Sequence, residues 1–340
     1  MTCSYGRTNK QAGMASFALT MLTLFIFTAG ATLSLQAQVQ SADRQVPAVN
    51  HNTWTTGTAM PTARFGAFAG VIGKNIYVIG GATNSGYQTT DISEIYNTTK
   101  KTWTTGASDP TPRWGGASAV VNGILYLIGG QNGLSPLNLV EAYDPATNTW
   151  TTKTSMPTAR GAMPAVVDKD IIYVIGGYVT GPDEWLATVE SYNTTTDTWT
   201  EEAPLPVATS WLTAGLLGTT VVAAEGQICC GSGTPVGNTE GYSVKKNTWT
   251  ELTADSTPRL EPCFAAIKGQ LYVAGGANST GTLSVNEAYN AKTKSWTTLA
   301  SMPNALETPA SATAGGRLYC IGGSSANLSS VYDYVQIYQP

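Results

Sequence analysis

Four arginines of this 340-residue chain stand at one distance from four tryptophans. Counting ten residues on from Trp54, Trp103, Trp150 and Trp249 reaches Arg64, Arg113, Arg160 and Arg259, and the same count from Trp199 and Trp296 reaches Thr209 and Leu306. A guanidinium offers parallel N–H donors that match the two oxygens of a carboxylate, so a recurring set of arginines is chemistry for holding an acidic group. Like charges about 10 Å apart in a wet channel repel by only about 0.4 kcal/mol. The set therefore needs no ligand to exist, and a structural role, in which each arginine bonds loop carbonyls and braces one repeat on the next, is the stronger reading and is compatible with the other.

Two acids stand beside this column. Glu261 follows Arg259 by two residues and Glu307 follows Leu306 by one, each present once at its offset. A carboxylate there serves either as a general base or as the partner of a neighbouring arginine. Phe65, Trp114 and Trp211 come one or two positions after the same column and supply aromatic faces, for stacking a ligand or for packing between repeats. Glu94, Glu141, Glu190, Glu240 and Glu287 recur in Glu-x-Tyr, too regularly for a catalytic set, and read as scaffold. His51 is the only histidine, which leaves no His-dependent triad; the residues point to no metal and no cofactor.

The elements that must position these residues follow from the repeat itself. The tryptophans are 47 to 50 residues apart, and that period announces an array of one supersecondary unit. A tyrosine stands 23 residues after most of the tryptophans, and the positions 26 and 27 after them are Gly80-Gly81, Gly129-Gly130, Gly176-Gly177, Glu225-Gly226, Gly275-Gly276 and Gly322-Gly323. Length variation is confined to the segment after the second glycine. Each copy holds four runs with strand character: a small-residue run, the apolar run into diglycine, the run ending in Glu-x-Tyr, and the run beginning at Trp. The expected fold is all-β: a six-bladed β-propeller of four-stranded antiparallel blades. Strand alternation puts the length-variable loops and the tenth-position residues on one face, so the expected binding surface is the loop face around the central channel, with the four arginines as a partial ring at its mouth. The last copy lacks a Trp run and Trp54 arrives with no strands before it, so residues 51–57 are expected to supply the outer strand of the sixth blade and close the ring.

Arg at the tenth position, aliphatic-Tyr-aliphatic-aliphatic-Gly-Gly, Glu-x-Tyr and Asn-Thr-Trp together resemble the kelch repeat, over residues 54–340. The resemblance implies a recognition platform more than an enzyme, with a protein, peptide or carbohydrate ligand, acidic if the arginines hold it. The alternative is a sugar-acid mutarotase or epimerase similar to the exported kelch-type N-acetylneuraminate epimerases, in which the arginines would hold the sugar carboxylate and Glu261 or Glu307 would move the proton. The copper radical oxidases with kelch-like blades need histidine ligands that this chain lacks, and the blade motif of the sialidases is absent.

Charged residues make up 12% of the chain and the formal net charge is −4, with no basic stripe for nucleic acid. Residues 1–37 read as a secretory signal peptide: Arg7 and Lys10 precede an apolar run over 17–27, and Leu35-Gln36-Ala37 suits cleavage. That run is short of the about 20 residues a spanning helix needs. The chain is thus expected to be exported, whether secreted, periplasmic or at the cell surface, with no membrane contact after cleavage. Residues 38–50 read as a lead-in linker and 51–340 as the propeller. Cys229, Cys230, Cys263 and Cys320 then face an oxidising compartment, with three pairings open to them. Cys263 and Cys320 fall where other copies carry Ala or Val and read as buried apolar residues; a bridge from Cys263 to one of the vicinal pair is the alternative.

Overall fold

The computed structural model describes residues 51–180, 185–228 and 234–340; the expected signal peptide and lead-in, and the loop residues Asp183, Glu184, Cys229 and Cys230, lie outside them. Apart from one 3-10 turn at Ala326–Leu328, the regular structure among the described residues is strand. Six antiparallel four-stranded sheets follow the repeat in order. The first blade is Phe68–Ile72, Asn75–Ile79, Ser93–Asn97 and Thr102–Thr105, and each later copy reproduces it. The inner strands, from Phe68–Ile72 to Ala310–Ala314, each pack on the inner strands of both neighbours and close the ring. Small side chains make that crowding possible: Ala69, Ser118, Ala165, Ala214, Ala266 and Ser311 face the axial channel.

Thr53–Thr56 pairs antiparallel with Val335–Gln339, with Trp54 opposite Tyr338, so the start of the propeller completes its sixth blade. Gly57 N–H adds one bond to the Val335 carbonyl at 2.8 Å. A sheet edge that would otherwise offer unpaired N–H and C=O groups is thereby covered.

The repeated aromatic pair has a defined task. In every blade the third-strand tyrosine packs on the outer-strand tryptophan, with ring centroids 4.9–5.6 Å apart. Each tryptophan Nε1–H then donates to a carbonyl leaving the outer strand of the preceding blade, at 2.7–3.2 Å, and Trp54 reaches Ala300 O in this way across the closure. The Asn of Asn-Thr-Trp adds to the tie. Asn148 has left-handed φ of 55°, a region Asn tolerates, and its Oδ1 accepts from Tyr143 OH at 2.6 Å and from Ala107 N–H of the preceding blade at 2.9 Å. Asn52, Asp197 and Asn247 repeat both bonds. Lys101 and Lys294 occupy the same left-handed position without that carboxamide, and Tyr96 OH is left buried and unpaired.

One cysteine expectation is corrected. Cys263 and Cys320 form a disulfide with Cα atoms 5.7 Å apart, so neither is a free buried thiol and Cys263 is not bridged to the vicinal pair. The reason is the ring packing, which lays the inner strand Cys263–Ile267 of blade five against the strand Arg317–Ile321 of blade six. The bond closes 57 residues of chain, for which the loop-entropy model gives about 4 kcal/mol.

Candidate functional site

The arginines at the tenth position turn away from the channel. Arg64, Arg113, Arg160 and Arg259 are each 0% exposed, and each meets the Glu-x-Tyr acid of its own blade. Arg64 Nη1 donates to Glu94 at 2.7 Å and Arg113 Nη2 to Glu141 at 2.6 Å; Arg160 pairs with Glu190 and Arg259 with Glu287. A threonine or serine hydroxyl donates to the other carboxylate oxygen, as Thr62 does to Glu94 at 2.9 Å. Further donors reach backbone carbonyls, such as Val78 O from Arg64, or a second acid, such as Asp109 from Arg113, while Nε of Arg64 and of Arg160 is buried without a partner. The expected ring of arginines at the channel mouth is corrected on this point: with no exposed surface the guanidinium groups touch no ligand. The physical cause is that each buried acid needs a cation, and the arginine two turns of chain away supplies it.

The two copies without arginine show the same logic from the other side. In copy six Leu306 replaces Arg and Gln336 replaces Glu, its amide bonding Asn304 at 2.9 and 3.1 Å. In copy four Thr209 replaces Arg while Glu240 remains, and burial raises its carboxyl above the ordinary range. Copy four also carries Glu225 where others carry the first glycine, at φ 60°. Its carboxylate crosses to Arg259 at 2.9 Å, joining Asp255 and Glu287 on one guanidinium, and burial holds the Glu225 carboxyl well above the usual range despite the arginine.

Backbone atoms carry the rest of this column. The second glycine of each pair donates its N–H to the tenth-position carbonyl of the next blade at 2.8–3.0 Å, from Gly81 to Arg113 O around to Gly323 to Arg64 O. In the five copies that carry it, the first glycine lies against the same carbonyl: a Cβ on Gly129 would stand 2.5 Å from Arg160 O.

Two residues further on, a second ring closes the mouth itself. Gly115 N–H donates to Gly66 O, Ala162 to Gly115, Trp211 to Ala162, Glu261 to Trp211, Thr308 to Glu261 and Gly66 to Thr308, at 2.6–3.2 Å. All six residues have left-handed φ, from 54° to 64°. Such a φ suits glycine, and Gly115 also lies under the Trp211 ring, 3.4 Å from where its Cβ would be. Trp211, Glu261 and Thr308 hold the same backbone against the preference of their side chains, a cost of order 1–2 kcal/mol each.

Those three side chains meet in one cleft of about 590 Å³ on the loop face. One wall is aromatic: Tyr87 stacks on Trp114 at 4.8 Å, Trp114 on Trp211 at 5.8 Å, and Phe65 packs edge-on behind Trp114 at 5.5 Å. Trp114 is fixed by a bond from its Nε1–H to Gly133 O at 2.8 Å. The facing wall holds Glu261 and Glu307. Thr308 Oγ1 donates to Glu261 Oε2 at 2.8 Å, whereas the Glu307 carboxylate, in a residue only 7% exposed, has no hydrogen-bond donor among the described residues. Burial lifts the Glu261 carboxyl to about 7 against the Thr308 bond, and burial plus the Glu261 charge lifts Glu307 to about 8. Burial first, then both acids, push the Tyr87 hydroxyl up. The described residues lining the cleft include no Lys or Arg. Nor is any group of three or more His, Cys, Asp or Glu arranged for a metal among the described residues.

Of the expected site residues the structure brings together Trp114, Trp211, Glu261 and Glu307, and it separates the four arginines from them. Thr308, and Tyr87 as a member of the wall, were not singled out as site residues. The signal for Thr308 was the column twelve residues after each Trp, where the small Gly66, Gly115 and Ala162 give way to the bulkier Trp211, Glu261 and Thr308. Tyr87 lies in a length-variable loop, where register carries no information.

Three comparisons bear on this architecture. The KLHDC2/KLHL20/DRC7 kelch-repeats domain matches residues 19–226, and the kelch motif matches residues 258–303. No curated protein matches the chain. Among solved structures, that of YjhT is 19% identical, superposes over 82% of this chain and 96% of its own, and gives a TM-score of 0.72. A likeness at that identity speaks for the fold.

Proposed function

Because the chain belongs to the kelch-repeat family, whose propellers present irregular loops on a rigid ring, we propose that it is an exported binding module with its ligand seated in the loop-face cleft. The body of the ligand stands against Tyr87, Trp114 and Trp211, and its polar groups meet Glu261 and Glu307. One observation carries this reading. The axial ring demands a left-handed backbone at six positions, and the three bulky residues that accept it, Trp211, Glu261 and Thr308, all line the same cleft. Strain kept at such positions is a pointer to function. Carbohydrate or peptide remains the ligand class, because aromatic faces with hydrogen-bonding rims suit both. An acidic ligand loses its support, since the arginines are buried and the cleft is lined by acids. The mutarotase reading loses its carboxylate clamp for the same reason. Export rests on residues 1–37 and agrees with a disulfide at Cys263–Cys320.

The test is a glycan and peptide array probed with the purified protein, followed by tryptophan fluorescence titration of the hits. A ligand of this cleft is expected to lose about ten-fold or more in affinity with Trp211→Ala, about 1.4 kcal/mol, while the melting temperature shifts little. Hits that bind Trp211→Ala and Trp114→Ala as tightly as the wild type would place recognition elsewhere on the propeller.

A further inference from the structure

We infer that the cleft, which rests on the reading above as the ligand site, takes an organic cation: a positively charged nitrogen, primary or quaternary, on a compact body held against the aromatic wall. Glu307 is the starting point. It is 7% exposed, lines the cleft, and has no hydrogen-bond donor among the described residues. A carboxylate withdrawn from water without a partner is costly, and the recurrent Glu-x-Tyr acids, Glu240 apart, are each answered by an arginine of their own blade. Glu261 stands in the same cleft, its Oε2 held by Thr308 at 2.8 Å, so one acid is oriented and the other is left open.

The opposite wall completes the chemistry. The faces of Trp and Tyr attract a cation within about 6 Å of the ring centre, most strongly where water is displaced. Trp211 and Tyr87 supply such rings, stacked on either side of the buried Trp114 with centroids 5.8 and 4.8 Å from it. An anion placed there would meet two carboxylates and no described Lys or Arg; a cation meets two opposite charges and the rings of Trp211 and Tyr87. A cavity of about 590 Å³ admits a body the size of a single ring with its substituents.

The titratable groups among the described residues that face Glu307 across the cleft are Glu261 and Tyr87. Both acids are held partly protonated near neutrality, at about 7 and about 8. A bound cation therefore displaces a proton, and affinity rises with pH through that interval.

The experiment titrates the wild-type protein with two matched pairs of probes: cyclohexylmethylamine against cyclohexylmethanol for a primary ammonium, and choline against 3,3-dimethylbutan-1-ol for a quaternary one. At least one cation is expected to bind about ten-fold tighter than its neutral partner, a difference of about 1.4 kcal/mol. Glu307→Gln should remove that preference, and choline, which does not titrate, should bind more tightly as pH rises from below 7 to above 8. The two pairs tell which kind of nitrogen is favoured. Equal binding of a cation and its neutral partner, or an unchanged preference in both Glu307→Gln and Glu261→Gln, overturns the inference. If that neutral binding still falls in Trp211→Ala, the cleft stands as the ligand site and only the cation is lost. No binding of either cation also overturns it, and the array hits then judge the cleft separately.

Discussion

Two columns of the repeat, two residues apart in every copy, behave in opposite ways. At the tenth position after each tryptophan four arginines are fully buried on the Glu-x-Tyr acids of their own blades, and the carbonyl bonds the neighbour, Arg259 alone adding an ion pair to Glu225 of the preceding blade. At the twelfth position the backbone is the constant part, a closed ring of N–H···O=C bonds at left-handed φ, and the side chain varies from none at Gly66 to an indole at Trp211. A column that repeats its residue type is doing the same structural task in each blade. A column that keeps its conformation while changing its side chain is free to specialise, and this one does so on one side of the mouth.

That contrast can be broken most forcefully at the tenth position. Arg113→Ala leaves Glu141 and Asp109 buried without their cation, a loss expected at about 3–5 kcal/mol and a fall in melting temperature of roughly ten degrees. Ligand affinity in the cleft should be unchanged in the surviving folded protein. A variant that melts with the wild type, or that folds but no longer binds, would erase the distinction between the two columns.

The next effect is the pH dependence of stability. Glu307 titrates at about 8 in the folded chain against an ordinary 4.5, so the folded state holds its proton more tightly than the unfolded state does. The stability contributed by that proton is complete below the unfolded value and is lost as pH rises toward about 8. Glu307→Gln, neutral throughout, should be the more stable protein at pH near 8, by something on the order of 3 kcal/mol. It should also melt with a flatter pH profile between about 5 and 8. Parallel profiles for variant and wild type would show that Glu307 is not strained by its burial.

The smallest effect sharpens the twelfth column. Ala162 sits in the axial ring at φ 57°, outside the aromatic and acidic walls of the cleft. Ala162→Gly should raise stability by a few tenths to about 1 kcal/mol, because relief of the left-handed Cβ outweighs the entropy glycine brings to the unfolded chain. Denaturant midpoints measure it, and a lower midpoint would mean that the ring imposes no strain there.

Most of the fold was legible in the linear chain because a repeat writes its own register. Trp103, Tyr126, Gly129-Gly130, Glu141 and Trp150 recur at set distances, and a four-stranded unit with those aromatics can bury its faces only against copies of itself. The closure by Thr53–Thr56 was legible too, from a final copy without its Trp strand. The site was legible only by neighbourhood. Trp114, Trp211, Glu261 and Glu307 were found because they sit near the arginines, although the arginines themselves belong to the blades. The Cys263–Cys320 bond was missed because it joins strands of different blades, 57 residues apart, whose contact is set by ring packing.

What the sequence determined by itself, then, is the unit, its number of copies and the face on which its loops vary, because covalent spacing and the strand period carry that information along the chain. Only the tertiary structure decided which way each residue of the mouth points. Arg113 and Glu261 are both charged and both close to the axis in register, yet one finds a buried counter-charge in its own blade and the other is held by a left-handed turn beside Glu307. That choice depends on atoms far apart in the chain, brought together by ion pairing across the strands of one blade and by a hydrogen-bonded ring across all six copies, and neither distance exists until the strands have paired and the propeller has closed.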